Sequence, residues 1–97
     1  MVKMVIEKAT AKNKKYKAIF YDDQGKKLKT VQFGSEGMSD FTIHKDKERK
    51  QRYLDRHMKR ENWNDPMTAG ALSRYILWNK PTLDASIKDF KKKFNLK

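Results

Sequence analysis

Five basic side chains recur at close to one-turn spacing in the middle of the chain: Arg49, Arg52, Arg56, Lys59 and Arg60. Placed at 100° intervals on a helix, they form one stripe beside an arc of Tyr53, Leu54, His57 and Met58. Glu48 and Asp55 fall elsewhere, so the stripe is a cationic ridge rather than an even mix of signs. Guanidinium groups one turn apart suit a phosphate backbone, and contacts of that kind position a protein without reading sequence. Nothing marks base-reading residues, so the expected binding has low sequence specificity, with DNA ahead of RNA. The competing expectation is that some of these cations pair with Glu7, Glu36, Asp65 or Asp84 and tie the helix to the domain.

Two further groups bear on anions. Lys91, Lys92 and Lys93, with Lys97 beyond them, form a second basic cluster at the end of a predicted helix, where they also complement its dipole. Gly34, Ser35, Gly37 and Ser39 offer backbone N–H and hydroxyl donors beside the cationic helix, a combination that suits a phosphate oxygen. The plain alternative for that segment is a sheet-to-helix connection.

Catalysis has little to work with. His44 and His57 are the only imidazoles, and there is no nucleophile elbow, Walker loop or dinucleotide fingerprint. A metal site can be drawn from His44, His57, Asp40 and Asp46, but no metal or other cofactor is expected. Zero cysteines exclude disulfides, thiolate nucleophiles and cysteine-based zinc sites. The expectation is a non-enzymatic protein with no small-molecule substrate.

The whole chain sets the same bias. Its 97 residues hold 24 Lys and Arg against 12 Asp and Glu, a net charge of +12. A surface of that sign attracts polyanions, nucleic acid first, then an anionic membrane surface or an acidic protein face. Aromatic residues make up 11% of the chain, enough to argue for a folded core in spite of 37% charged residues. A chain of this size is expected to bury one modest core but not a deep substrate cavity as well. No apolar run of about 18 residues is present. The charged N-terminal segment does not resemble a signal peptide, so an intracellular location is expected.

These residues need elements to hold them. Lys15–Tyr21 and Lys27–Phe33 alternate as strands around Asp22-Asp23-Gln24-Gly25, a turn signal, and Val2–Ile6 suits a third strand. A helix is predicted from Asp46 to about Glu61, carrying the ridge. A second, the most apolar, is predicted from Pro66 to Trp78 after an Asn64-Asp65-Pro66 start signal. Gly70 inside it points to close packing. A third follows Pro81-Thr82, with Leu83, Ile87, Phe90 and Phe94 on one seam. The expected architecture is one basic α+β domain over residues 1–97. It has a β-hairpin or three-stranded antiparallel sheet in 1–33, a connecting loop in 34–45, and about three α-helices in 46–97. Trp63 is expected under the hairpin, with base stacking as the functional alternative.

Larger blocks carry a family resemblance. Phe33-Gly-Ser-Glu-Gly-Met-Ser-Asp-Phe-Thr, His44-Lys-Asp, Arg52-Tyr-Leu-Asp-Arg-His, Glu61-Asn-Trp, Pro66-Met-Thr-Ala-Gly and Leu72-Ser-Arg-Tyr-Ile-Leu-Trp-Asn-Lys-Pro-Thr-Leu83 run through two-thirds of the chain. Together they resemble a family of short basic proteins of giant (nucleocytoplasmic large) DNA viruses of algae and amoebae. The resemblance brings no activity with it. It implies a viral protein made in the infected cell, in host cytoplasm, viral factory or nucleus, and packaged in the virion in one version. The second functional expectation follows from it: a minor capsid or capsid-associated component whose partners are viral capsid proteins or the inner membrane surface.

Overall fold

Alternation decides which side of each strand faces inward, because successive side chains of a strand point to opposite faces. Met4 and Ile6 of β1 (Lys3–Lys8) share a face with Tyr16, Ala18 and Phe20 of β2 (Lys14–Tyr21) and with Val31 and Phe33 of β3 (Lys27–Ser35). The computed structural model, which describes residues 1–97, joins these strands as an antiparallel meander in the order β1-β2-β3. Met4 lies opposite Phe20, Ala18 opposite Val31 and Tyr16 opposite Phe33. The β2–β3 turn is held by Asp22, whose Oδ1 accepts from the N–H groups of Gln24 and Lys26 at 2.9 and 2.8 Å. Gly25 supplies the positive φ of +82° that the turn needs.

Four helical segments follow, and with the sheet they make an α+β fold. They are α1 (Phe41–His44), α2 (Lys47–His57), α3 (Ala69–Leu72, continued by a π-helical turn over Ser73–Leu77) and α4 (Leu83–Lys93). Each α-helical start carries an oxygen cap for otherwise unpaired N–H groups. Asp40 accepts from Thr42, Asp46 from Glu48 and Arg49, Thr68 from Ala71, and Thr82 from Ala85. Past α4, Asn95 takes a left-handed φ of +56°, and the Leu96 N–H reaches the Lys91 carbonyl at 2.7 Å, closing the helix end.

The core lies between the sheet and the last two helices. Met4, Ala18, Phe20 and Phe33 meet Leu72, Ile76, Leu77 and Phe90, all 2% exposed or less. Only Tyr53 of α2 is buried, so that helix sits at the side of the core and keeps most of its circumference in water. No helix is long and apolar enough to cross a membrane.

Three boundaries differ from the sequence reading. The segment expected as loop over 34–45 begins inside β3, which runs to Ser35, and contains the single turn α1. The first long helix ends at His57, not near Glu61. Past it the chain tightens into a turn, with the Arg60 N–H on the His57 carbonyl at 3.0 Å, and the Asn64 N–H then meets the Asn62 side chain. The second helix starts after Thr68, not at Pro66. Asp65 instead accepts the Met67 N–H at 2.9 Å, and Pro66 sits within that turn.

Candidate nucleic-acid interface

The ridge is built by α2 and the turn after it. Asp46 caps the helix with its carboxylate on the Glu48 and Arg49 N–H groups, at 3.0 and 3.3 Å. Arg49, Arg52 and Arg56 follow on the helix itself, and Lys59 and Arg60 lie in the turn beyond His57. All five are exposed. The ion pairs of the molecule join the N-terminal amine to Asp23, Lys15 to Asp40, Lys17 to Glu7 and His57 to Glu61. None uses a ridge cation. The expected tethering to Glu7, Glu36, Asp65 or Asp84 is therefore absent: Glu7 is taken by Lys17, and the other three form no ion pair. On the same helix Asp55 is held by Gln51, whose amide donates to it at 2.9 Å.

A stack of rings fastens α2 to the domain. Tyr53 lies between His57 and Trp78, with centroid distances of 4.2 and 4.3 Å. His44 abuts Trp78 at 5.3 Å, and Phe41 meets His44 edge-on at 6.2 Å. Burial, and next the nearby Glu61 carboxylate, push the Tyr53 phenol well above the ordinary tyrosine range. Glu61 takes His57 Nδ1 on one oxygen at 3.2 Å and the Trp63 indole N–H on the other at 2.8 Å. Gly70 makes room for that carboxylate, since a Cβ there would come within 3.2 Å of Glu61 Cδ. Trp63 is thus not under the hairpin. It is half-buried beside Glu61, with the Arg74 guanidinium 5.4 Å from its ring centre.

Beside the stack opens a cleft of about 320 Å³. Its walls include Lys14 and Lys15 at the start of β2, Gly34, Ser35 and Ser39, then Arg56, His57, Glu61, Ala69 and Ser73. Phe33, Tyr53, Leu77 and Trp78 also line it. The chain therefore does hold a cleft besides its core, although an open one. Three of the four residues expected to cradle a phosphate are here, together with Arg56 of the ridge. Gly37 does not line the cleft; it takes a φ of +84° in a turn where the Met38 N–H returns to the Ser35 carbonyl. The Glu36 N–H is likewise engaged, by the Asn13 carbonyl. Those two backbone donors serve the turn.

Lys14 escaped sequence reasoning, and so did the role of Lys15. The β2–β3 register, which sets Lys14 opposite Ser35, is the signal that places both beside the loop. Lys15 reaches the buried carboxylate of Asp40, which leaves Lys14 and Arg56 as the unpaired cations of the cleft. A third basic group also emerges away from the ridge. Lys50 Nζ donates to the Asn79 carbonyl at 2.8 Å, and Arg74 donates to the Trp78 carbonyl at 3.0 Å. Burial first, then the charges of Arg74, Lys80 and Lys47, lower the Lys50 amine below the usual lysine range. These two cations cap the C-terminal end of α3. In the cluster on α4, Lys91 is half-buried, whereas Lys92 and Lys93 are exposed, Lys93 with its amine 5.0 Å from the centre of the Tyr75 ring.

Fold and surface define a small basic α+β domain, a three-stranded meander backed by helices with a cationic flank. The chain belongs to a family of unknown function, DUF5754, whose model matches residues 4–57. That match spans the sheet, α1 and all of α2, and so includes Arg49, Arg52, Arg56 and Tyr53. No curated protein and no solved structure matches the chain.

Proposed function

We propose that this is a non-enzymatic nucleic-acid-binding protein that holds a phosphate backbone along Arg49, Arg52, Arg56, Lys59 and Arg60. The observation that carries the reading is the exposure of all five cations with no carboxylate paired to any of them. Nucleic acid carries condensed counter-ions, and their release when unpaired surface cations neutralise its phosphates drives binding. The ridge offers charge but no base-reading geometry, so binding is of low sequence specificity, and DNA is the expected partner ahead of RNA. No three acidic or imidazole groups converge as a metal would need. The resemblance to giant-virus proteins supplies a setting, an infected cell and its viral factory or nucleus, with packaging in the virion as a consequence of DNA binding.

The capsid-associated alternative rests on the family resemblance and on a positive face that meets acidic protein or membrane, with the apolar second helix as added support. Leu72, Ile76 and Leu77 are consumed by the core, so they offer nothing to a capsid partner. Filter binding to duplex DNA at rising salt tests the leading proposal. Five phosphate contacts give a log–log salt slope of about −4.5. Absence of binding at low salt, or an affinity indifferent to salt, rejects it.

A further inference from the structure

The cleft beside the ridge combines three things in one place: an aromatic stack, two unpaired cations and the hydroxyls of Ser35, Ser39 and Ser73. We infer that it receives one unstacked nucleotide of a single-stranded nucleic acid, with the base against the His57–Tyr53–Trp78 stack and its phosphate on Lys14 and Arg56. The inference rests on the nucleic-acid reading above and narrows it to a strand type.

Size sets the first limit. About 320 Å³ lies at the small end of the roughly 300–1,000 Å³ range of ligand pockets, room for one nucleotide and not for a duplex. In a duplex the base faces are hidden within the stack, so a recessed aromatic surface can be reached only by a base that has left it. His57 lines the cleft and stays partly exposed. Tyr53 covers one face of His57, Glu61 engages its edge at Nδ1, and the side chain is 33% exposed.

Charge points the same way. The two acids on the walls are both engaged, Asp40 by Lys15 and Thr42, Glu61 by His57 and Trp63. The cations left over are Lys14 and Arg56, and the hydroxyls of Ser35 and Ser39 line the same cleft. Arg56 belongs to both the ridge and the cleft. A backbone tracking Arg49 and Arg52 therefore arrives at the cleft mouth, where the next base can turn in. The π-helical turn fits this role. Its wide i→i+5 bond from the Trp78 N–H to the Ser73 carbonyl shifts Trp78 from where a continuous α-helix would carry it, and such turns recur at functional sites.

The test uses the full chain with a short single-stranded oligonucleotide carrying one 2-aminopurine, and the matching duplex. The expected result is quenching of the probe in the single strand and roughly ten-fold tighter binding than to the duplex, about what one stacked base supplies. Ala69→Phe places a ring in the cleft from an exposed rim position. It is expected to abolish both the quenching and the preference while leaving duplex binding unchanged, with thermal unfolding confirming the fold. Lys14→Ala, at an exposed position, is expected to lower the salt slope on single strands by about 0.7 and leave the duplex slope alone. Salt-dependent binding with equal or better affinity for duplex and no quenching overturns the cleft inference and leaves the ridge standing. No binding to either form overturns both.

Discussion

Tyr53 and Trp78 lie face to face, their ring centres 4.3 Å apart and their planes within 4° of parallel. That contact, with the Lys50 bond to the Asn79 carbonyl, joins α2 to the end of α3. It sets where the ridge sits relative to the cleft. Truncating the ring removes both packing and stacking, so Tyr53→Ala is expected to cost about 3 kcal/mol in urea unfolding, in the range of large-to-small aromatic substitutions. Tyr53→Phe keeps the ring and is expected to cost less than about 1 kcal/mol. Equal losses for the two would mean that the hydroxyl, not the stack, anchors the helix.

The same phenol gives a pH signature. Burial raises its pKa in the folded state above the unfolded value of about 10. A raised folded pKa means that Tyr53's contribution to stability is fully present below pH about 10. Above that, the unfolded chain ionises first, and the contribution is lost as pH climbs toward the folded pKa. Absorbance at the phenolate band is expected to show a late step that vanishes in Tyr53→Phe, and chemical unfolding of the wild type to weaken above pH about 10.

Asp40 is 2% exposed and its carboxylate takes Lys15 together with the Thr42 N–H. Removing the amine strands a buried charge. Lys15→Met is expected to cost about 3 kcal/mol. Asp40→Asn is expected to cost less, because the amide oxygen can still cap α1 and the freed lysine can swing toward water. Denaturation curves of the two variants decide it, and the reverse order would contradict the pairing.

Two glycines share a left-handed backbone and differ in what surrounds them. At Gly34, with φ +78°, a Cβ would meet Leu77 Cδ1 at 2.9 Å and Lys15 Cβ at 3.1 Å. At Gly37, with φ +84°, nothing lies within 4 Å. Gly37→Ala is thus expected to cost about 1 kcal/mol from the backbone alone, and Gly34→Ala at least about 2 kcal/mol because crowding adds to strain. Thermal unfolding of the pair separates the two effects.

Charge reversal tests the ridge without touching the core. The double variant Arg52→Glu/Arg56→Glu lowers the formal net charge by four and replaces side chains that are exposed and unpaired. Gel shifts at fixed low salt are expected to show at least a hundred-fold loss of affinity, with a salt slope smaller by about two. Stability is expected to stay within about 0.5 kcal/mol. Unchanged binding would place the polyanion elsewhere on the surface.

Much of the fold was legible because it follows from near neighbours. The alternation in β2 and β3, the Asp22–Gly25 turn and the seam of Leu83, Ile87, Phe90 and Phe94 each state their geometry within a few residues. The errors came at helix ends. Asp65 looked like a helix cap and makes a turn instead, and after His57 the Arg60 N–H turns back to the His57 carbonyl, before Glu61. The pair His57–Glu61 shows in the chain only as a four-residue spacing, and the turn after His57 is what brings the two together.

From its sequence alone this protein was committed to a basic surface, a small antiparallel sheet and amphipathic helices, because charge and periodicity act locally and sum along the chain. Tertiary structure decided that the ridge cations stay unpaired, that Lys14 and Arg56 face one cleft, and that Tyr53 lands on Trp78. These outcomes join residues distant in the chain, as with Lys15 and Asp40, 25 apart. Periodicity can say that such a side chain points inward or outward, but only the packing of sheet against helix selects the side chain it meets.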